Sequence, residues 1–278
     1  MSKLLSAGFA RLWKNTIFWM EIIIMLLFFA ALLLSNYKDM QNCGISYCLD
    51  GFFIGSFMII GFFTATFASM FLGTEYSDGT IRNKLVMGHG RISIYLSGLI
   101  ICFVSTVIVC LSSIVLILAM GIPMFGFLTR PLTDTLAVIC VGIFIDAAYS
   151  AVFTMIAMLV TSKPVTVMAC IFTCLAVYFG SMSISMKLEE PEIWPGYVSV
   201  EDGSEFVYGQ SYPNPNYLRG TKRAVYEFLY DFLPAGQGFQ LARANAPTPD
   251  ALFPLYSLII TVTTTAGGIL VFRKKDLK

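Results

Sequence analysis

Charged side chains are scarce in this sequence. Asp, Glu, Lys and Arg make up 13% of its 278 residues, whereas they make up about 25% of an ordinary soluble domain. Hydrophobic residues account for 57%. This balance argues against a soluble enzyme and indicates an integral membrane protein. The formal net charge of +1 gives no reason to expect a nucleic acid as a partner, so only the placement of the charges is informative.

Sequence motifs for catalysis are also missing. The single histidine, His89, has no second histidine and no nearby group of cysteines or acids that would predict a metal site or a Ser–His–Asp site. No stretch has the form G-x-x-x-x-G-K-[ST], the loop that cradles phosphates in ATP-hydrolysing proteins. We therefore expect no enzymatic activity, no metal and no cofactor in this chain. Energy must come from a separate subunit or from a gradient.

The seven cysteines do not predict a disulfide framework. Most lie inside apolar runs, where a thiol behaves as a small core residue. Cys43 and Cys48 lie in a polar loop, and they can form a bridge if that loop faces an oxidising compartment. Two free thiols are the alternative.

Long apolar runs occupy most of the chain. A helix needs roughly 20 apolar residues to cross about 30 Å of hydrocarbon, and a lipid-exposed backbone must satisfy its own hydrogen bonds. The runs that are long enough, or nearly so, are 17–35, 51–72, 94–121, 132–160, 164–186 and 251–272. The sequence therefore predicts an all-α integral membrane protein with six transmembrane helices in a single domain, residues 1–278.

The distribution of Lys and Arg predicts the orientation. With both termini in the cytoplasm, most basic residues near the membrane fall on the inner side, as the positive-inside rule requires. Those residues are Lys3, Arg11, Lys14, Arg82, Lys84, Arg91, Lys163, Arg273, Lys274, Lys275 and Lys278. The short outer loops hold only Lys38 and Arg130. We expect a multi-pass protein of a bacterial plasma membrane with both termini cytoplasmic.

Two segments outside the spans are amphipathic. Residues 1–16 predict an interfacial elbow helix that leads into the first span, and a slightly longer first span is the alternative. Residues 187–250 form the one large extracellular segment, whose first half, rich in proline, glycine and acid, predicts a loop. Its second half carries apolar residues at helical spacing, namely Val225, Phe228, Leu229 and Phe232. Pro234 and Gly236 then predict a break, so a helix–break–helix can dip into the outer leaflet.

The polar stretch GTEYSDGTIRNKLVMGHGR, residues 73–91, separates the second span from the third. Ser77 or Asp78 can cap a short cytoplasmic helix, and Gly88 can end it in a left-handed conformation. A helix of about nine residues is too short to be stable alone in water, so it must pack on something. Ile81 and Leu85 make a small apolar edge suited to a groove on a cytoplasmic protein. A plain positively charged loop that holds the spans in place is the alternative.

This stretch resembles a known family. EYSDGTIRNKLVMGHGRISIYLS is similar to the loop between the second and third spans of type-2 ABC transporter permeases. The residues that match the family's pattern are Glu75, Tyr76, Gly79, Thr80, Ile81, Arg82, Asn83, Lys84, Leu85, Gly88, Arg91 and Tyr95. FLPAGQGFQL, residues 232–241, is similar to the family's segment before the last span, and LVFRKKDLK is similar to its usual tail.

The resemblance implies the membrane half of an exporter, which works as a pair of six-span units with two ATPase subunits. Residues 73–93 would be the coupling loop, docked on the ATPase through Glu75–Leu85. Residues 221–246 would be re-entrant outer helices, and 1–16 the elbow helix. ATP and Mg would bind the partner ATPase. The expected partners are therefore that ATPase, a second permease copy in a homodimer or a homologue, and the lipid bilayer.

Two acids lie more than one helical turn inside predicted spans. Asp146 lies near the middle of the fourth span, where a carboxylate costs roughly 2.5–3.5 kcal/mol and normally faces the bundle interior. It is either a substrate or proton contact, or a protonated or hydrogen-bonded tie between helices. Glu21 lies a little over one turn into the first span. It either reaches toward the headgroups or a basic elbow residue, or has a functional role.

The sequence thus favours an ATP-driven exporter of an amphipathic or hydrophobic substrate, peptide or drug-like, because its spans are rich in Met and Phe. Two rival functions remain open at this point. One is a gradient-driven transporter or channel that uses Asp146. The other is a membrane scaffold that transports nothing.

Overall fold

The protein is almost entirely helical. The computed structural model describes residues 1–44, 46–199, 206–242 and 251–275. The elements in chain order are α1 (Ser2–Trp13), α2 (Thr16–Cys43), α3 (Leu49–Ser77), α4 (Thr80–Val86), α5 (Arg91–Phe125), α6 (Leu132–Leu159), α7 (Lys163–Leu188), β1 (Ile193–Ser199), β2 (Phe206–Pro213), α8 (Gly220–Phe232), α9 (Pro234–Leu241) and α10 (Leu252–Lys274).

Six of these helices, α2, α3, α5, α6, α7 and α10, are long and apolar enough to cross a membrane. The predicted all-α fold with six spans is thereby confirmed. We call the end of the bundle where α3, α6 and α10 finish the basal end. There the Tyr76 hydroxyl contacts the Met158 carbonyl, and Arg91 Nη1 lies 3.1 Å from the Phe272 carbonyl oxygen. The other end is the distal end.

Three helices form the interior of the bundle. In the apolar windows of α3, α5 and α6, 50–56% of the residues are buried, against 17–28% in α2, α7 and α10. The outer three helices therefore leave broad apolar faces uncovered within the described chain. Such faces are expected where lipid tails, rather than water, surround the helices.

Small residues let the inner helices approach closely. A Cβ added at Gly142 on α6 would lie 2.0 Å from Phe57 Cε1 on α3. One added at Gly61 on α3 would lie 2.8 Å from Tyr149 Cζ on α6. Each helix thus presents a glycine to an aromatic ring of the other, so the two backbones lie closer than larger residues would permit.

The first segment is a helix of its own. α1 ends at Trp13, and Asn15 caps α2 by accepting hydrogen bonds from the Ile17 and Phe18 amides at 2.8 and 3.2 Å. The chain therefore breaks before α2, and α1 is not an extension of the first span. Gly8 packs against Ile101 of α5. The location of α1 at a membrane surface stays a prediction.

The large segment before α10 differs from its sequence interpretation in one respect. Where a loop was expected, β1 and β2 form an antiparallel hairpin that pairs Ile193 with Pro213 and Ser199 with Phe206. The prolines disfavour an inner strand, but each strand of a two-stranded ribbon has an unpaired edge that tolerates them. Residues 200–205 and 243–250 of this segment lie outside the described part.

The predicted helix–break–helix is present as α8 and α9, with Pro234 at the first position of α9. Gln237 on α9 accepts a hydrogen bond of 2.8 Å from Ser257 on α10. Gly238 lies beside Met58, the tenth residue of α3, and therefore about 14 Å from the distal start of that helix. A re-entrant position of these helices in the membrane stays a prediction. The last residues of the predicted re-entrant segment, 243–246, are not among those described.

Candidate functional site

The predicted coupling loop is a sharp turn followed by a short helix at the basal end. α3 ends at Ser77, and Gly79 has a φ of +65°, a left-handed conformation that costs other L-residues roughly 1–2 kcal/mol. Gly79, not Ser77 or Asp78, precedes α4 as its cap. α4 has 7 residues, and Gly88 follows with a φ of +82°, as predicted for the residue that ends the helix.

The two faces of α4 are unlike each other. Ile81 is 2% exposed, whereas Val86 and Met87 are 80% and 71% exposed. Leu85 is partly buried against the same core as Ile81. The apolar edge that was expected to dock on another protein therefore packs on this chain's own bundle. The outward face of α4 carries Arg82, Asn83 and Val86 instead, and Met87, the residue after the helix, is exposed as well.

A buried carboxylate fixes α4 to its surroundings. Glu75 is 3% exposed, and its Oε1 accepts hydrogen bonds from Arg11 Nη1 on α1 and Lys84 Nζ on α4, both at 2.7 Å. Arg11 also donates to the Phe71 carbonyl at 3.2 Å and lies over the Phe71 ring. A charge that is both paired and hydrogen-bonded at low exposure gives this joint a defined geometry. We call Glu75, Arg11 and Lys84 the basal triad.

A second set of contacts ties the end of α10 to the same region. Lys275 Nζ lies 3.2 Å from the Tyr76 hydroxyl and 3.1 Å from the Met158 carbonyl oxygen, and its burial lowers the pKa of its ammonium group. Arg91 donates to the carbonyls of Phe272 and Arg273 at 3.1 and 3.0 Å. A cation at these carbonyls complements the negative end of the α10 dipole.

The structure therefore divides the predicted coupling residues into two groups. Those that fix the joint are Glu75, Tyr76, Gly79, Ile81, Lys84 and Leu85. The exposed ones are Arg82 and Asn83, and Thr80 is half-buried. Arg11 and Lys275 were missed as partners of this loop, because they lie 64 and 199 residues from their contacts. Their basic character was the only local signal.

Asp146 lies inside the bundle. It is 1% exposed, and its Oδ1 has no hydrogen-bond partner among the described residues. Ser150 and Thr154 follow it at one-turn intervals on α6, and the buried Ser150 hydroxyl oxygen likewise finds no partner there. The expected hydrogen-bonded tie is thus not formed by this oxygen. A row of polar groups faces the interior instead.

Glu21 neither reaches the surface nor pairs with the elbow helix. It is 5% exposed, its Oε1 has no hydrogen-bond partner in the described chain, and Arg11 binds Glu75. It lines a cleft of 250 Å³ between α2 and α3, together with Ile24, Phe62, Phe63 and Thr66.

The distal end holds the two loop cysteines. Cys43 and Cys48 are both free thiols, and Cys48 Sγ lies 2.8 Å from Asp50 Oδ2. Asp50 is buried and accepts a hydrogen bond of 2.9 Å from the Thr129 amide, so it joins α3 to the loop before α6. Ile45, between the two cysteines, lies outside the described residues. Sequence reasoning missed Asp50, because an acid at the start of a helix also occurs without a distant partner.

Within the part of the chain that the structure describes, no group of three or more His, Cys, Asp or Glu could hold a metal ion. The amide of His89 donates to the Lys84 carbonyl at 3.2 Å, a contact that helps to close the loop after α4. The site therefore consists of a basal joint held by ion pairs and hydrogen bonds, with an uncovered outward face.

A comparison with protein families finds one whose model, described as ABC-2 family transporter protein, matches residues 4–186. The match begins in α1 and ends within α7, so it includes the basal triad and α4. No curated protein matches the chain.

Proposed function

This chain belongs to the ABC-2 family of transporter proteins, and on that premise we propose that it is the permease subunit of an ATP-driven exporter. Six apolar helices and the family match make it a multi-pass membrane permease of an ABC system. The sequence has no phosphate-cradling loop. ATP and Mg would therefore bind a separate ATPase subunit on the cytoplasmic, basal side. The substrate would be amphipathic or hydrophobic, peptide or drug-like.

One observation supports the docking role above all, and it is the contrast between the two faces of α4. Its inner face is fixed by Ile81 and by the ion pair of Lys84 with Glu75. Its outer face exposes Val86, and Met87, just after the helix, is exposed too. A seven-residue helix is unstable alone, yet this one is held rigidly while apolar side chains remain uncovered. A helix that binds a partner and passes its movement to the spans needs this arrangement.

The basal contacts suggest how a movement of the partner would reach the spans. A push on α4 acts on Glu75 through Lys84, and Glu75 also holds Arg11 on α1. Tyr76, the next residue, contacts α6 and the segment after α10. We propose that ATP-driven closure of two ATPase subunits moves α1, α3, α6 and α10 of each permease copy together. The pathway would then alternate between inward-closed and outward-open states.

A co-purification experiment tests this proposal. The full chain carries a C-terminal tag on a flexible linker and is extracted from native membranes in mild detergent, with and without ATP. We expect a stoichiometric ATPase to accompany the wild type, and Val86→Asp with Met87→Asp to lose it. Phe127, also 80% exposed but at the distal end, gives the matched control Phe127→Asp, which should keep it. A well-folded permease without an ATPase would refute the proposal.

Asp146 favours a second candidate function, a gradient-driven transporter. A buried carboxylate with an unpartnered oxygen and an unpartnered hydroxyl one turn away, on Ser150, is the kind of group that can take up an ion or a proton. Asp146→Asn would then abolish transport by purified protein in liposomes that contain no ATPase. Under the exporter proposal the same liposomes, driven by a gradient alone, show no transport even with the wild type.

A further inference from the structure

The cleft at Glu21 has the composition of a ligand site. Its lining consists of the Glu21 carboxylate, one hydroxyl from Thr66, and the apolar side chains of Ile24, Phe62 and Phe63. Tyr178 of α7 adds a third ring beside Phe62, with ring centroids 5.2 Å apart. An acid thus lies in a small aromatic and aliphatic cavity of 250 Å³.

The carboxylate has no partner in the described chain. Glu21 is 5% exposed and its Oε1 makes no hydrogen bond there. Arg11, one of the basic residues of α1 that could have paired with it, is held by Glu75 instead. A buried polar group without a partner is costly, so the fold keeps a group here that contributes nothing to its own stability. A bound cation would supply the missing partner.

The cleft lies far from the basal end of the spans and opens on the lateral face of the bundle. Phe18, three residues before Glu21, contacts Phe67, which lies ten residues from the basal end of α3 and thus about 15 Å from it. Ile24, on the rim, is 51% exposed on the lateral face of α2. A ligand would therefore reach the cleft from the hydrocarbon between α2 and α3, not from the water at either end.

The chemistry of the lining selects one ligand class. A protonated amine can pair with the carboxylate while aromatic rings stabilise its positive charge, and an attached apolar body matches the remaining walls. A lipid headgroup amine carries a phosphate beside it. Apart from Glu21 the lining offers only one hydroxyl, so that phosphate would be buried without a counter-charge.

We infer that the cleft between α2 and α3 binds a free amphipathic amine, with its protonated nitrogen at Glu21 and its apolar body against Phe62 and Phe63. The site names a substrate class for the transporter, and only in that respect does it rest on the proposed function. The binding itself needs no ATPase.

Direct binding tests this inference. The full chain, in nanodiscs of phosphatidylcholine and without ATPase, is titrated with tritiated dodecylamine, and empty nanodiscs give the blank. We expect Glu21→Gln to weaken binding about tenfold or more, as loss of a charged hydrogen-bond partner predicts. Asp39→Asn is the matched control, because Asp39 is an exposed acid on the same helix, and it should bind like the wild type. Phe63→Leu should weaken binding by a smaller factor.

Two further arms need no variant. Dodecanol, which has the same chain without the charge, should fail to displace the amine. Equal displacement by dodecanol, or equal binding by Glu21→Gln, would overturn the inference. Loss of amine binding when the nanodiscs contain phosphatidylethanolamine would show that a lipid headgroup is the occupant, and would overturn the assignment to a free amine. None of these outcomes affects ATPase co-purification, so the two proposals fail separately.

Discussion

Glu75 is one carboxylate that holds two cations from different segments of the chain. Its contacts with Arg11 and Lys84 are both 2.7 Å. The side chains of Glu75, Arg11 and Lys84 are 4%, 30% and 19% exposed. At such low exposure the partners of a missing charge are not fully rehydrated, so the cost of removing it exceeds that of an exposed pair.

Glu75→Gln is therefore expected to lower the free energy of unfolding by about 2–3 kcal/mol. Thermal unfolding of the protein in nanodiscs measures the change. Glu192→Gln is the control, since Glu192 and Arg219 form an exposed pair, 58% and 64% exposed, which is worth about 1 kcal/mol or less. If the two substitutions cost the same, the basal triad is no stronger than a surface pair.

Single residues also show where local sequence stops being informative. The spacing of Ile81 and Leu85 correctly predicted that they share a face of α4. It could not say that this face is covered by the chain's own bundle, because periodicity defines a face but not its neighbour. For the same reason, the sequence did not indicate that the apolar residues Val86 and Met87 are exposed.

At the scale of elements, the turn from α3 into α4 depends on one backbone conformation. Gly79→Ala is expected to tilt or loosen α4, because alanine at a φ of +65° costs roughly 1–2 kcal/mol. Gly79→Asn should retain most of the wild-type behaviour, since asparagine tolerates this region better. The readout is the amount of ATPase that co-purifies. Equal recovery with alanine and with asparagine would contradict the requirement for a left-handed residue.

The contact between α3 and α6 gives a second prediction at this scale. Gly142→Ala is expected to destabilise the protein by about 1–3 kcal/mol, because the added Cβ would lie 2.0 Å from the buried Phe57 ring. Gly180 on α7 has nothing within 4 Å of an added Cβ, so Gly180→Ala should be neutral or stabilise by up to about 1 kcal/mol. Thermal unfolding distinguishes them. A neutral or stabilising effect of Gly142→Ala would show that α3 and α6 can separate without cost.

Elements were predictable to different degrees. The six spans follow from the length of their apolar runs, which bilayer thickness dictates. α8 and α9 follow from helical spacing and from the break at Pro234. The hairpin of β1 and β2 did not, because its pairing joins residues up to 20 positions apart, such as Ile193 and Pro213, in a stretch whose composition favours turns.

At the scale of the whole molecule, the exposed cysteines test the predicted orientation. A variant that keeps Cys43 but has Cys48→Ser should react with a membrane-impermeant maleimide in intact cells, because the distal end is expected outside. Asn83→Cys, exposed on α4, should react only after permeabilisation when made in a Cys43→Ser, Cys48→Ser background. The Cys43→Ser, Cys48→Ser background without Asn83→Cys measures how much of the reaction comes from the exposed Cys140. Reaction of Asn83→Cys in intact cells would reverse the topology.

The arrangement of the basal end was the least predictable part of the molecule. Each of its charges was visible in the sequence, and the positive-inside rule accounted for most of them. Their pairing was not visible, since Lys275 meets Tyr76 across 199 positions. A rule that counts charges on one side of a membrane treats them as interchangeable, whereas the fold gives Arg11, Arg91 and Lys275 separate partners.

The contacts of Arg91 and Lys275 also set an order in biosynthesis. Residues 272–275 are translated after the other five spans. Arg91 therefore cannot bind their carbonyls, and Tyr76 cannot contact Lys275, until the end of the chain has been made. α4 can dock on Glu75 as soon as its own turn is made, but the surface around it is completed only by α10. A nascent chain would therefore offer the proposed ATPase an incomplete binding surface until the last span has inserted.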